Sequence, residues 1–86
     1  MKTFDELRRV MTRDLLELKK LEESRFTTIE KRHLKEQEIG RCCYEAEEDL
    51  ELYDLKLLKR SLGLSEMQWR TYKAKFIAGS SPEEFS

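Results

Sequence analysis

The sequence predicts an all-α protein: an antiparallel helical hairpin with a long, coiled-coil-like second helix, and a short third helix packed on its C-terminal end. Composition is the first observation, because 41% of the 86 residues are charged and only three are Gly and one Pro, as in helical bundles rather than sandwiches. The second is a row of apolar or small residues at alternating steps of four and three from residue 39 to 57, typical of a helix that packs along another helix. Capping signals, which mark helix starts, are the third.

The first helix begins at a capping box formed by Thr3 and Glu6, in which each side chain accepts a hydrogen bond from the other residue's backbone N–H. It is expected to run to about Ser24. A second box, Thr27 with Glu30, starts the next helix, so we expect a break at residues 24–28. One continuous helix from 4 to 61, a coiled-coil rod, is the alternative.

The second helix is expected to run from residue 28 to about 61, before Gly63, which accepts the left-handed conformation that ends helices. One apolar row forms the stripe, here called the seam, by which this helix packs along another helix. A second apolar row appears on the other side of the helix after residue 50. A helix that is apolar on two sides is buried by more than one neighbour. The seam consists of Ile39, Cys43, Ala46, Leu50, Tyr53, Leu57 and Leu64, and the second row of Leu52, Leu55, Leu58 and Leu62.

The third helix begins at a capping box of Ser65 and Gln68 and is expected to reach about Ala78, before Gly79. We expect it to fold back over residues 50–62. Residues 36–55 carry eight acids and one base, net −7, and residues 56–75 six bases and one acid, net +5. Internal pairing would join Arg70, Lys73 and Lys75 to Glu47, Glu51 and Asp54.

Residues 1–79 are predicted to form one helical domain, with 80–86 as a tail or the start of a further helix. The second alternative arises because Ser81-Pro82-Glu83-Glu84 is a helix-start signal near the end of the chain. In that case the sequence would be the front part of a longer protein.

The sequence favours a cytoplasmic protein that does not bind membranes. It has no run of eighteen apolar residues, and no apolar leader region follows Met1. The adjacent Cys42 and Cys43 point in different directions on a helix and are expected to stay reduced, as in intracellular proteins.

Candidate catalytic and metal-binding residues are weak, so we expect no enzyme activity, no cofactor, no metal and no small-molecule substrate. His33 is the only His in the chain. Glu30 and His33 have the Glu-x-x-His spacing of di-metal bundles, but those sites need a second copy. The cysteines lack a second pair at zinc spacing.

The function that the residues favour is protein binding by helix packing, as an adaptor, an inhibitor, a chaperone, a regulator or an oligomerisation module. The partner would be another protein or a second copy of the chain in a homodimer, because two apolar rows exceed what one hairpin covers. The residues predicted to bind the partner are Leu52, Leu55 and Leu62, with Glu45 and Glu48 as a charged rim.

The alternative is a DNA-binding regulator of the helix-turn-helix type. Its turn would be residues 62–65, and residues 65–77 would lie in the major groove. If the basic residues of the third helix pair with the acids at 47, 51 and 54, this alternative is disfavoured. If Arg70, Lys73 and Lys75 are instead exposed without carboxylate neighbours, it is favoured. The predicted nucleic-acid-binding residues are Gln68, Arg70, Lys73 and Lys75.

Overall fold

The computed structural model describes residues 2–80, which fold into four helices with overall dimensions of 37 × 33 × 22 Å. The all-α class is confirmed, but the architecture is more than a hairpin with one added helix. Helix α2 is the central element: α1 packs on one side of it and α4 on another, while α3 packs mainly on α1. The helices of this part of the chain are α1 (Phe4–Glu23), α2 (Ile29–Asp49), α3 (Leu52–Leu62) and α4 (Glu66–Ser80).

The predicted break at residues 24–28 is confirmed, and the continuous rod is wrong. Backbone dihedrals at Ser24 are extended, and Thr28 caps α2 by accepting the Lys31 N–H at 3.2 Å. The cap therefore lies one residue after the predicted Thr27. Helices α1 and α2 are antiparallel, because Lys2 pairs with Glu45 at one end of the hairpin and Lys35 with Glu17 at the other.

The predicted long second helix is wrong, because it breaks at Leu50 and Glu51, which both have extended backbone dihedrals. No Gly or Pro marks the break. Helix α2 ends on three consecutive acids, residues 47–49, and has no base in its last turn. Negative charge at a helix C-terminus opposes the helix dipole, which favours ending the helix there.

The predicted position of the last helix is also wrong. Helix α4 packs along α2 rather than over residues 50–62. The two helices are antiparallel, because Trp69 contacts Glu47 near the end of α2, whereas Lys75 contacts Glu36 nearer its start. Its capping box is confirmed: Ser65 N–H donates to Gln68 Oε1 at 2.9 Å, and Gln68 N–H donates to Ser65 Oγ at 3.1 Å. Gly63 has φ +70° and makes the sharp turn between α3 and α4. The last helix extends to Ser80, past the predicted end at Gly79, and the start signal at 81–84 lies outside the described residues.

Helices α2 and α4 approach each other most closely at Gly40. A Cβ atom at this position would lie 2.7 Å from the Tyr72 carbonyl carbon, closer still to the carbonyl oxygen, and 2.8 Å from Phe76 Cβ. Only a glycine fits such a contact without displacement of the neighbouring backbone. The Tyr44 and Phe76 rings, with centroids 6.0 Å apart, lie in the same interface.

One hydrophobic core joins the four helices. Trp69 of α4 is almost fully buried in it, together with residues from α1, α2 and α3. None of the helices between residues 2 and 80 is long and apolar enough to cross a membrane. The buried apolar residues are Leu7, Met11, Leu18, Ile39, Cys42, Cys43, Ala46, Leu55, Leu58 and Trp69.

Candidate functional site

Two shallow grooves lie on the surface formed by α1 and α3. The larger has a volume of about 310 Å³ and lies between the second half of α1 and the end of α3, and the other, of about 280 Å³, lies along α3 itself. Leu57 lines one groove and Ser61 the other. These residues are four apart on α3, so the two grooves are neighbours along this helix. We define the α1–α3 face as the ten residues that line them: Thr12, Leu15, Leu16, Lys19, Tyr53, Lys56, Leu57, Arg60, Ser61 and Leu62.

Large apolar side chains on this face remain in contact with solvent. Tyr53 is 75% exposed, Leu57 39% and Leu16 54%. Tyr53 and Leu57 are four residues apart and therefore share one side of α3. The other side of the helix carries Leu55 and Leu58, which are in the core. Helix α3 is thus apolar on two sides, and the bundle covers only one of them.

The charged residues of the α1–α3 face are all basic. Lys19, Lys56 and Arg60 line the grooves, and no Asp or Glu does. Within residues 2–80 none of the three makes an ion pair, whereas Lys35, Lys59, Lys73 and Lys75 each pair with a carboxylate. The structure therefore leaves positive charge uncompensated beside the exposed apolar side chains.

The predicted partner-binding leucines have different surroundings. Leu62 is half-buried and lines the larger groove. Leu52 is 67% exposed in the first turn of α3. Leu55 is only 9% exposed and packs in the core, so its assignment to a surface is wrong. The reason is the break at residues 50–51, which changes the direction of every side chain after it.

The two predicted rim residues lie on α2. Glu45 is half-buried and pairs with Lys2 at 3.0 Å and Arg41 at 3.6 Å. Glu48 is exposed and makes no ion pair within the described residues. Glu45 is therefore already paired within the bundle. Of the two predicted rim residues, only Glu48 has a carboxylate without an ion-pair partner in the described chain.

The α1–α3 face includes residues that the sequence analysis missed. Tyr53 and Leu57 were assigned to the seam of the second helix, Leu15 to the apolar face of the first, and Leu16 to neither the seam nor the partner surface. The available signal was the run Leu15-Leu16, since neighbours on a helix point about 100° apart and cannot both face one narrow seam.

Most of the residues predicted to bind nucleic acid make hydrogen bonds or ion pairs with other residues of the bundle. Lys73 pairs with Glu47 at 2.9 Å, as predicted, but Lys75 pairs with Glu36 of α2 instead of an acid in 47–54. Gln68 caps α4. Arg70 is exposed and makes no ion pair within residues 2–80.

Glu47 links α2 to α4. Its carboxylate accepts hydrogen bonds from Trp69 Nε1 at 2.7 Å and Lys73 Nζ at 2.9 Å. Desolvation raises the pKa of this carboxyl, but the hydrogen bonds from Lys73 and Trp69 outweigh it and hold the pKa below its ordinary value. Glu47 thus serves the packing of α4 rather than an external ligand.

The two thiols are buried, and the single imidazole is exposed. Cys42 and Cys43 are free and buried, and burial raises the pKa of Cys43 to about 12, which disfavours the reactive thiolate. His33 is exposed and shares a hydrogen bond of 3.2 Å with Gln37. Among residues 2–80, no three His, Cys, Asp or Glu side chains converge in a way that could hold a metal ion.

Comparison of the chain with protein-family models, with curated proteins and with solved structures gave no match.

Proposed function

We propose that the protein binds another protein, or a second copy of itself, by packing a helix of the partner on the α1–α3 face. Such a protein would serve as an adaptor, an inhibitor, a chaperone or an oligomerisation module. The observation that carries the proposal is the exposure of Leu16, Tyr53 and Leu57 along two neighbouring grooves. Contiguous exposed apolar surface of this kind is typical of interaction sites.

The shape of the face suits a helix. Grooves bordered by side chains of two helices accept the side-chain ridges of a third helix, as in ordinary helix packing. Peptide-binding proteins use the same arrangement for amphipathic helices, with contacts spaced three or four residues apart. Complete burial of a fully exposed Leu side chain stabilises by about 1.5–3 kcal/mol, and Leu16 and Leu57, which are 54% and 39% exposed, would each contribute part of that amount.

Paired surface substitutions test the proposal. The full chain and its Leu16→Ser/Leu57→Ser variant are used to capture proteins from an extract of the source cells. The matched control is Met67→Ser, because Met67 is 78% exposed but lies on α4, away from the α1–α3 face. We expect to capture one or more proteins with the wild type and with the control, and not with the double variant. Equal capture by all three chains would refute a role for this face.

Sedimentation equilibrium tests the homodimer. A dimer through this face would have twice the 10.4 kDa mass of the chain and would dissociate in the Leu16→Ser/Leu57→Ser variant. A dimer that persists in this variant would place self-association elsewhere.

DNA binding is the alternative hypothesis, and the ion pairs of Lys73 and Lys75 count against it. Helix α4 also packs chiefly on α2, whereas a helix-turn-helix packs its second helix on its first. Affinity for random duplex DNA that falls steeply with salt and is lost in an Arg70→Glu variant would support this alternative. No binding at low salt would eliminate it.

A further inference from the structure

The charge of the α1–α3 face restricts its occupant. Lys19, Lys56 and Arg60 border the grooves without internal ion pairs in the described chain. Lys56 and Arg60 are also four residues apart on α3, where like charges destabilise a helix by a few tenths of a kcal/mol. An external carboxylate would relieve this repulsion.

A second copy of the chain is a poor match for this face. A two-fold symmetric dimer places the same patch of each protomer against the other. The bases of one patch, Lys19, Lys56 and Arg60, would then face the bases of the other, and no acid lines the grooves of either patch. Like charges facing each other across an interface oppose association.

An amphipathic helix that is acidic along its edges has the complementary chemistry. Its apolar residues, spaced three and four apart, would contact Leu16, Tyr53 and Leu57. Glu or Asp residues beside the apolar stripe would lie near Lys56 and Arg60 on one side and Lys19 on the other.

On this basis we propose that the partner of the α1–α3 face is an acidic amphipathic helix of a different protein. This inference rests on the proposed function and narrows it. The apolar contacts would supply most of the affinity, while the bases would select acidic over basic helices and speed the encounter.

Two synthetic peptides test the inference. Both have leucines at helix-stripe spacing. One carries Glu at the flanking positions, and the other carries Lys at the same positions. Each is titrated into the ¹⁵N-labelled full chain at low and high salt, and amide shift changes report where and how tightly it binds. Vesicles containing phosphatidylserine are titrated in parallel, because an anionic lipid surface also attracts bases next to apolar groups.

We expect the acidic peptide to shift amides of α1 and α3, to bind more weakly at high salt, and to bind more tightly than the basic peptide. A Lys56→Glu/Arg60→Glu variant should weaken the acidic peptide by about threefold to tenfold for each reversed residue and should favour the basic peptide. Arg70→Glu is the matched control, because Arg70 is an exposed, unpaired base on α4, and it should leave both affinities unchanged.

Equal binding of the two peptides, binding away from α1 and α3, or no binding of the acidic peptide would overturn the inference. So would shifts on this face with vesicles but not with the acidic peptide. The proposed function fails separately: it falls only if the Leu16→Ser/Leu57→Ser variant captures the same proteins as wild type and the control.

Discussion

Substitution of Gly40 by Ala tests the packing that holds α4 on α2. Ala is about 1 kcal/mol more favourable than Gly inside a helix, so helix propensity alone predicts a more stable protein. Here the added methyl group would meet the Tyr72 carbonyl group and Phe76 Cβ, at 2.8 Å or less. These are backbone and Cβ atoms, which cannot rotate away, so α4 must move as a unit.

The expected cost exceeds the gain in helix propensity. Restoring ordinary contacts of 3.4–4 Å requires α4 to move by about 0.6 Å or more at Phe76 Cβ and by more than about 1 Å at the Tyr72 carbonyl oxygen. Overpacking of this kind costs about 1–3 kcal/mol and would be larger where a whole helix shifts. We expect a net loss of about 2 kcal/mol in the free energy of unfolding, or about 8–16 °C in Tm for a domain of this size.

Urea unfolding followed by Trp69 fluorescence measures the loss and also reports the environment of α4, because Trp69 is buried beside α2 in the wild type. The comparison variant is Gly63→Ala, where no atom lies within 4 Å of the new methyl group but φ is +70°. It should lose about 1–2 kcal/mol from backbone strain without changing native Trp69 fluorescence. If Gly40→Ala is instead more stable than wild type by about 1 kcal/mol, the close approach is wrong.

Four further substitutions or measurements test other contacts. Trp69→Phe removes the hydrogen bond to Glu47 and should lower the free energy of unfolding by about 1.5–3 kcal/mol in urea titrations; no loss would contradict that contact. Because the folded pKa of Glu47 is depressed, its contribution to stability is present above pH 4.5 and is lost as the pH falls through the lowered value. In the Glu47→Gln variant the free energy of unfolding should therefore fall less steeply as the pH is lowered below 4.5. Cys43, whose pKa burial raises to about 12, should react with a thiol reagent no faster than the chain unfolds; fast labelling of the native protein would refute its burial. Glu51 makes no side-chain cap bond at the start of α3, so Glu51→Asp should raise Tm by supplying about 0.5–1 kcal/mol, and an unchanged Tm would mean that the new carboxylate does not cap.

Local signals predicted the starts of α1 and α4. The capping residues of α1 and α4, Thr3 and Ser65, act on N–H groups only three residues away, so the sequence alone contains the interaction. The break at 24–28 was likewise predicted from a capping box, one residue before the cap that forms at Thr28. Such features depend little on the rest of the fold.

The break at residues 50–51 depends on tertiary packing, and that is why the sequence did not reveal it. Leu50 continues the apolar period, and no Gly or Pro follows it. In the folded chain Leu50 packs on the core in an extended conformation. The change of direction then sends Leu55 inward and Tyr53 and Leu57 outward, which reversed the predicted roles of these residues in the candidate site.

Gly40 is a signal in the sequence from which the close packing of another helix on α2 could have been predicted. A glycine inside a strongly helical stretch costs about 1 kcal/mol, so its presence suggests a close approach by another backbone. The sequence indicated that α2 is closely approached at Gly40 but not by which helix, because nothing local distinguishes α4 from α1 as the element that packs there.

Site-specific photo-crosslinking tests the central claim most directly. The photoreactive amino acid p-benzoylphenylalanine replaces Tyr53 on the α1–α3 face in one chain and Met67 on α4 in another, both highly exposed positions. After irradiation in source cells, we predict one dominant protein adduct from position 53, absent from position 67. Adducts at position 67 alone, or the same adducts at both positions, would contradict binding through the α1–α3 face.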